Sequence, residues 1–290
     1  MTSGNGSDQA TLEHSLKYNP PIDTRAGERN LKEARQIFEA LGVTFLLNSG
    51  TCLGAVRGKA IIAWDDDVDL ISVMGINGLT QETRVAAARA FTESGYFVGE
   101  NRVWNYLSMS MMKDYVRVDW SCVTVEENQV HTFPGISLPA YLFTNPKEVD
   151  FLGERFLVPN PPEEYLRLKY GDAWMIPKRP GEFEHDVVAG VSDAGLGDRP
   201  CRIRILDHLG NPVPEAEVRV VGIGTFRSDG RGSAEMLLAG PGWHSLVIRF
   251  ADHERVLYME ELDPDRSYVY TADMGASGDI GSMGNVLTVE

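Results

Sequence analysis

The stretch from Ile61 to Ile71, IIAWDDDVDLI, places four aspartates within five positions, between apolar residues on both sides. Apolar flanks of this kind predict a buried strand, here expected over residues 62–73. Carboxylates this close repel one another and lose hydration when buried, so such a cluster usually persists because a hard divalent cation neutralises it. The stretch therefore predicts a buried acidic strand that binds Mg²⁺ or Mn²⁺.

Side-chain alternation along a strand divides the four aspartates into two sets. Asp65, Asp67 and Asp69 are expected to share one face, while Asp66 points to the opposite face. Members of the triple are two residues apart, which is close enough for them to share one or two cations. Cations held this way bridge phosphate oxygens in phosphate-transferring enzymes. We therefore predict Asp65, Asp67 and Asp69 as metal ligands and Asp66 as a bystander.

Three other interpretations compete for the acidic run. A solvated acidic loop conflicts with the apolar flanks, which include Trp64 and Leu70. A calcium loop of the EF-hand type that starts at Asp65 would need glycine at its sixth position and glutamate at its twelfth. The chain has Leu70 and Ile76 there, so this interpretation fails. A purely structural acidic cluster stays open as the alternative to the metal site.

A third acid is expected from a neighbouring strand. The run YVRVDWSCV places Asp119 between apolar residues, on the same face as Arg117. An unpaired carboxylate in such surroundings would be costly. Asp119 is therefore predicted as a third metal ligand, or as the base that accepts the proton of the acceptor hydroxyl. An ion pair with Arg117 is the alternative.

The segment SGTCLGAVR lies just upstream of the acidic strand. Ser49, Gly50 and Thr51 offer backbone N–H groups and hydroxyls that suit a phosphate. Arg57 could form a forked contact with a diphosphate, and Lys59 is a second candidate for that task. The alternative is a tight strand-to-helix turn in which Thr51 caps the next segment. Together with the acidic strand, this segment indicates metal-assisted phosphoryl transfer.

Composition narrows the classes of partner. The formal net charge of −15 and pI near 4.9 argue against a nucleic-acid-binding surface, which needs a basic face. A nucleotide donor is still compatible, because bound metal can locally invert the field. No apolar run approaches the ~20 residues of a membrane span, and the polar N-terminus does not have the pattern of a signal peptide. Three separated cysteines suggest neither disulfides nor zinc, so a cytoplasmic protein is expected.

The pattern along the chain predicts five segments. Polar residues 1–22 are expected to be disordered, residues 23–188 to form an α/β (α+β) domain, and residues 189–199 to form a linker. Short alternating runs predict a β-sandwich at 200–274, followed by a flexible glycine-rich tail at 275–290. Within the first domain, periodicity predicts helices at 24–41, 80–94 and 163–170 and strands at 43–48, 62–73, 106–112 and 115–125.

The two motifs resemble the LicD family, which includes fukutin-related proteins and has the nucleotidyltransferase fold. That family reads approximately GT-L-L-G-x-x-R, then seven residues from the arginine to W-D-x-D-x-D. The matching residues are Gly50, Thr51, Leu53, Gly54, Arg57, Trp64, Asp65, Asp67 and Asp69. The stretch PEEYLRLKYGDAWMIP at 162–177 looks like the closing segment of the family, so the resemblance covers roughly residues 30–186.

The resemblance implies a reaction and its partners. Family members transfer phosphocholine or an alditol phosphate from a CDP-linked donor to a glycan hydroxyl. The resemblance also implies that Asp67 and Asp69 are the paired acids of the nucleotidyltransferase fold and that Asp119 is its later third acid. Ala63 and Cys52 depart from the family pattern without removing a ligand. Two alternatives stay open: a nucleotidyltransferase that moves an NMP group, and a non-catalytic glycan- or ligand-binding protein with a degenerate catalytic domain.

Neither the head group nor the acceptor can be chosen from these motifs. Trp104, Tyr106 and Trp120 could form an aromatic box for a quaternary amine, but core packing is the expected use of each. The C-terminal half resembles carboxypeptidase-regulatory-like or prealbumin-like sandwiches, on the residues DHLGNPVPEAEVRVVG at 207–222 and TFRSDGRGSAEM at 225–236. This resemblance implies an accessory role for the second domain.

Overall fold

A computed structural model describes residues 6–103, 106–179, 181–193, 195, 197–273 and 286–290. The chain divides into two compact units. Unit 1 comprises Met1–Thr132 and Ser137–Ile176, and unit 2 comprises Phe133–Ile136 and Pro177–Glu290. Among the described residues, no helix is both long enough and apolar enough to cross a membrane.

The first 170 residues form the elements that build the candidate site. They are α1 Gln9–Tyr18, α2 Thr24–Ala40, β1 Leu46–Leu47, α3 Ser49–Leu53, β2 Asp67–Val73, α4 Gln81–Glu93, β3 Phe97–Val103, β4 Tyr106–Lys113, β5 Val116–Val123, β6 Val125–Glu126, β7 Gln129–Thr132, β8 Ile136–Pro139, α5 Tyr141–Thr144, β9 Lys147–Phe151, β10 Glu154–Val158 and α6 Pro162–Tyr170. A π-helical turn, Gly54–Gly58, directly follows α3. The helices predicted at 24–41, 80–94 and 163–170 are confirmed.

A five-stranded sheet, in the order β1-β2-β5-β4-β3, forms the centre of unit 1. β2 and β5 are parallel, and the other neighbouring strands pair antiparallel. In the parallel pair, Asp67 lies beside Arg117 and Asp69 lies beside Asp119. Asp119 therefore lies on the strand that neighbours β2, as expected, and its role as a third ligand stays a prediction. The α+β architecture is confirmed as well.

Aromatic packing joins the helices to this sheet. Phe38 of α2 packs against Trp120 of β5, with ring centroids 4.5 Å apart. Phe91 of α4 and Phe45 lie 5.2 Å and 5.3 Å from the Phe38 ring. The buried Trp120 indole donates a hydrogen bond to Ser72 Oγ at 2.9 Å, which satisfies its polar atom. The core therefore holds β2 and β5 in register beneath two helices.

The N-terminal segment contains a docked helix. Asp8 caps α1 by accepting a hydrogen bond from Thr11 N at 2.8 Å. Leu12 and Ser15, one turn apart, are both buried. Leu12 lies so close to Gly99 of β3 that a Cβ there would come within 2.8 Å of Leu12 Cδ2. The predicted disorder is therefore wrong over α1, because polar average composition hid a short face that packs on the sheet.

The acidic strand is shorter than the predicted one. β2 begins at Asp67, and Asp65 N donates to Ile62 O at 3.0 Å to close a turn before it. Asp65 and Asp66 therefore precede the strand. Because side-chain alternation applies only inside a strand, it does not separate these two residues from Asp67.

Unit 2 contains the predicted sandwich. It is built from α7 Glu184–Ala189, β11 Arg199–Leu206, β12 Glu217–Val220, β13 Gly224–Arg227, β14 Ser233–Leu238, β15 Gly242–Phe250, β16 His253–Leu262, β17 Ser267–Thr271 and β18 Thr288–Val289. Two four-stranded sheets, β14-β11-β17-β18 and β13-β12-β15-β16, enclose one apolar core. Within the tail expected to be flexible, residues 275–285 lie outside the described residues, and β18 pairs with β17.

The compact units divide the chain earlier than the expected domain boundary. Residues 177–188, expected in the first domain, belong to unit 2. The reason is α7, whose Val187 and Val188 are buried and which packs against β16. As limits of functional domains, the sequence-based boundaries stay a prediction.

Replacement of Leu12 tests whether α1 is part of the folded unit. Leu12→Ala should lower the free energy of unfolding by about 2–3 kcal/mol in urea denaturation, because it leaves a cavity between α1 and β3. Leu209→Ala, at a 74% exposed position, is the matched control and should change it by less than about 0.5 kcal/mol. Hydrogen exchange of α1 at the rate of an unstructured peptide in the wild type would contradict the docked helix.

Candidate active site

Arg117 lies at the centre of the acidic cluster. Its Nη2 is 2.7 Å from Asp66 Oδ2 and 2.7 Å from Asp67 Oδ2, and its Nε is 2.9 Å from Asp119 Oδ2. The side chain is only 1% exposed. Burial lowers the pKa of Arg117, but the three carboxylates outweigh burial and raise it well above the usual range. One buried cation therefore binds acids from a turn and from two strands.

The structure corrects the role expected for Asp66. Its side chain is buried and shares Arg117 Nη2 with Asp67. One carboxylate oxygen from each of Asp65, Asp66 and Asp67 lies within 4.8 Å of the others. Burial, helped by the charge of Asp67, raises the pKa of Asp66 to about 7. The prediction that Asp66 is a bystander is wrong, because it rested on strand alternation at a residue that precedes the strand.

Asp119 makes the ion pair that was the alternative to a metal role. That pair uses Oδ2, whereas Oδ1 is buried without a hydrogen-bond partner among the described residues. Burial raises the pKa of Asp119 to about 6, although Arg117 acts in the opposite direction. The ion pair therefore leaves one carboxylate oxygen open for a ligand or a proton. Its role as metal ligand or base stays a prediction.

The amino end of α3 binds the acidic strand. Gly50 N donates to Asp69 Oδ2 at 3.2 Å, and Asp69 N donates to Thr51 Oγ1 at 2.9 Å. A Cβ at Gly50 would lie 2.5 Å from Asp65 Oδ2. Glycine is needed here because two carboxylates approach the backbone closely. The Thr51 hydroxyl accepts from β2 and does not cap the next segment.

Two side chains of α6 hold Ser49. Ser49 N donates to the Tyr165 hydroxyl at 3.0 Å, and Lys169 Nζ donates to Ser49 Oγ at 2.7 Å. Tyr165 in turn donates to Asn48 Oδ1 at 2.6 Å. Ser49 has φ +40°, a conformation that is unfavourable for a residue with a side chain. These contacts hold an otherwise strained backbone at the first residue of α3.

The prediction that backbone N–H groups of Ser49 and Gly50 bind a phosphate needs correction. The amides of Ser49 and Gly50 already donate to Tyr165 and Asp69 within the protein. They are therefore not free to bind a phosphate in this arrangement. The Ser49 and Thr51 hydroxyls still lie beside the acidic strand, and their role in substrate binding stays a prediction.

The two cations expected to bind a diphosphate, Arg57 and Lys59, have surroundings that differ from those of Arg117. Half-buried Arg57 donates from Nη1 to Trp174 O at 3.0 Å. Lys59 is exposed and ends the π-helical turn with φ +56°. Within the described part of the chain, neither forms an ion pair with the acidic cluster. Lys169, which sequence reasoning missed, is the buried lysine beside Asp69.

The aromatic candidates for a head-group box have different surroundings. Trp120 is fully buried against Phe38, so it belongs to the core. Tyr106 is also buried, whereas Trp104 lies outside the described residues. The described residues therefore give no support for a choline box made from these three side chains.

The ionisable groups of the site carry an excess of negative charge when all of them are ionised. The site contains the carboxylates of Asp65, Asp66, Asp67, Asp69 and Asp119 and the cations of Arg117 and Lys169. Three negative charges are in excess if every group is ionised. Burial and repulsion by Asp67 accordingly raise the pKa of Asp65 and of Asp69 well above the usual range. Clustered oxygen donors with excess negative charge fit a hard divalent cation such as Mg²⁺ or Mn²⁺.

Replacement of Gly50 tests whether its size supports this cluster. Gly50→Ala should push the Asp65 carboxylate aside and weaken Mn²⁺ binding about tenfold in calorimetric titration, as loss of outer support does in known metal sites. Because the obstructing atom is the end of a side chain, thermal stability should change little. The matched control is Gly58→Ala, where a Cβ meets nothing within 4 Å. Equal Mn²⁺ affinity in the two variants would contradict this role.

Comparison with protein families identifies the segment that carries the site. Residues 42–161 match the family model described as LicD/FKTN/FKRP, nucleotidyltransferase domain. The matched segment contains α3, the acidic residues that precede and begin β2, and Arg117 and Asp119 of β5. Tyr165 and Lys169 of α6 lie just beyond it.

Curated relatives cover a similar part of the chain. Ribitol 5-phosphate transferase FKRP of Mus musculus is 26% identical over 166 residues, which are 53% of this chain and 33% of that protein, and the Homo sapiens protein gives the same values. Ribitol-5-phosphate transferase FKTN of Homo sapiens is 30% identical over 173 residues, which are 55% of this chain and 35% of that protein. The chain thus spans about a third of the length of the curated relatives it matches. Residues 42–161 are thus similar to the nucleotidyltransferase domains of the LicD/FKTN/FKRP family.

Proposed function

We propose that unit 1 transfers a substituted phosphate, of the phosphocholine or alditol-phosphate type, from a nucleotide-diphosphate-linked donor to a hydroxyl acceptor on a sugar. The observation that carries the proposal is a cluster of five carboxylates with an excess of negative charge, three of which bind buried Arg117. The family match and the names of the ribitol-phosphate transferases support phosphate-group transfer to a glycan. A CDP-alcohol-like donor follows from the resemblance.

Asp65, Asp67, Asp69 and Asp119 are the proposed ligands of Mg²⁺ or Mn²⁺, and Asp66 joins them because its carboxylate lies in the same group. When bound, the cation would supply positive charge to phosphate oxygens and so lower the barrier to transfer. The oxygen donors, the open Asp119 Oδ1 and the excess charge all support this assignment. The identity of the metal is part of the proposal.

The protein groups have separate tasks in this scheme. Arg117 holds the Oδ2 atoms of Asp66, Asp67 and Asp119, which orients the second oxygen of each carboxylate. Asp119, with its open Oδ1 and a pKa of about 6, is suited to accept the proton of the acceptor hydroxyl near neutral pH. The same atom is also suited to bind metal, and both roles belong to the proposal.

The role of unit 2 and the location of the protein are part of the same proposal. We assign the sandwich an accessory role in acceptor binding, dimer formation or packing, on the basis of its resemblance to accessory modules. A cytoplasmic location stays a prediction from composition alone.

Replacement of Asp69 tests the proposed reaction. Asp69→Asn should reduce turnover of a CDP-linked alcohol with Mn²⁺ by at least about 100-fold, since it removes a proposed ligand. Its thermal stability without metal should be unchanged or higher, because the lost charge is buried and repelled by Asp67. Phosphorus NMR should show the substituted phosphate on the sugar and release of CMP. Asp252→Asn, at an exposed position in unit 2, is the matched control and should keep full activity.

The products separate the alternatives. Transfer of the CMP group to the acceptor would instead support a nucleotidyltransferase. Binding of donor or glycan without turnover would support a non-catalytic protein. Full activity of Asp69→Asn would contradict the site itself.

A further inference from the structure

Lys169 is a buried lysine whose hydrogen-bonding capacity is largely unused. Its side chain lies on α6, and the residue is 6% exposed. An ammonium group carries three N–H donors. Of the described residues, Ser49 provides the single acceptor, through Oγ at 2.7 Å. Two donors of a desolvated cation are therefore available beside α3.

The surroundings of Lys169 place this cation at the acidic cluster. Its acceptor, Ser49, directly precedes Gly50, whose N–H donates to Asp69 Oδ2 at 3.2 Å. Burial disfavours the charge of Lys169, while Asp69 attracts it. Tyr165, one turn earlier on the same helix, fixes Ser49 N, so both side chains of α6 converge on the same residue. The ammonium is therefore positioned by α6 and by Ser49 rather than left mobile.

The other cations considered for the site differ from Lys169 in burial or in the use of their donors. Arg57 donates to the carbonyl of Trp174, and Lys59 is exposed. Arg117 directs Nε and Nη2 to carboxylates and Nη1 to Ser15 Oγ at 3.1 Å. Among the described residues, Lys169 is thus the cation that combines burial at the cluster with unused donors.

We propose that Lys169 binds the diphosphate of the donor, with Ser49 Oγ holding the ammonium in place. Phosphate oxygens are strong acceptors and carry the charge that a desolvated ammonium binds well. The inference rests on the proposed function, because it assigns a residue to the donor of that reaction. It transfers to Lys169 the task that the sequence pattern predicted for Arg57 and Lys59.

Pyrophosphate is the probe, because it carries the diphosphate without a base or head group. In calorimetry at saturating Mn²⁺, Lys169→Met should weaken pyrophosphate binding by about tenfold or more, as expected for lost hydrogen bonds to a charged group. Lys147→Met, at an exposed position of β9, is the matched control and should bind as the wild type does. Mn²⁺ affinity of Lys169→Met should be equal or higher, because a cation that competes for the acids is removed.

A second variant covers the case in which Lys169→Met does not fold. Methionine has a similar length, and thermal unfolding checks directly whether the variant folds. Ser49→Ala removes the acceptor that orients Lys169 and should weaken pyrophosphate binding several-fold with Mn²⁺ affinity unchanged. A purely structural role of Lys169 would alter thermal stability without this selective loss.

The outcomes separate this inference from the proposed reaction. Equal pyrophosphate affinity in the wild type and both variants overturns the role of Lys169, even if CDP-linked donors are turned over. Absence of pyrophosphate binding by the wild type overturns it as well. The wild type could instead fail to turn over CDP-linked donors while Lys169→Met selectively loses pyrophosphate binding. That result would overturn the proposed reaction and leave the diphosphate site standing.

Discussion

The ion pairs of Arg117 are the constraint on which the rest of the site depends. One buried guanidinium binds Asp66 from the segment before β2, Asp67 from β2 and Asp119 from β5. Loss of one partner from a buried pair typically costs about 3–5 kcal/mol, because the other charge is left uncompensated. Arg117 also donates to Ser15 of α1, which explains why a polar N-terminal segment docks on the domain. The same contacts fix which oxygen of each carboxylate is available for chemistry.

A second set of contacts brings distant segments to these acids. The absence of a side chain at Gly50 allows the Asp65 and Asp69 carboxylates to approach the start of α3. From the other side, Tyr165 and Lys169 of α6 hold Ser49 in a strained conformation. The site is therefore assembled from α3, β2, β5 and α6. Gly50 therefore makes room for carboxylates, whereas the sequence pattern suggested that it binds a phosphate.

Local patterns predicted the elements, whereas long-range pairing decided the site. Periodicity located α2 and the sandwich strands, and buried acids between apolar residues located β2 and Asp119. Asp66 was misassigned because the exact start of a strand depends on the turn at Asp65, which periodicity does not reveal. Lys169 was missed because its significance lies in contact with Ser49, 120 residues away in the chain. Its spacing of four residues from Tyr165 on a predicted helix was the available signal.

The central claim is that protons relieve the excess negative charge of the cluster until a divalent cation replaces them. Burial raises the pKa of Asp66 to about 7 and that of Asp119 to about 6, so these carboxylates are partly protonated near pH 6. Metal ligation needs the deprotonated form, so binding should release protons and strengthen as the pH rises. The most direct measurement is calorimetry of Mn²⁺ binding near pH 6 in two buffers with different ionisation enthalpies. The predicted result is a buffer-dependent enthalpy that reports proton release. The affinity should also rise from about pH 5.5 to about pH 7.5, a range over which the proton activity falls ~100-fold. Binding without proton release, or no Mn²⁺ binding at any pH, would contradict the account.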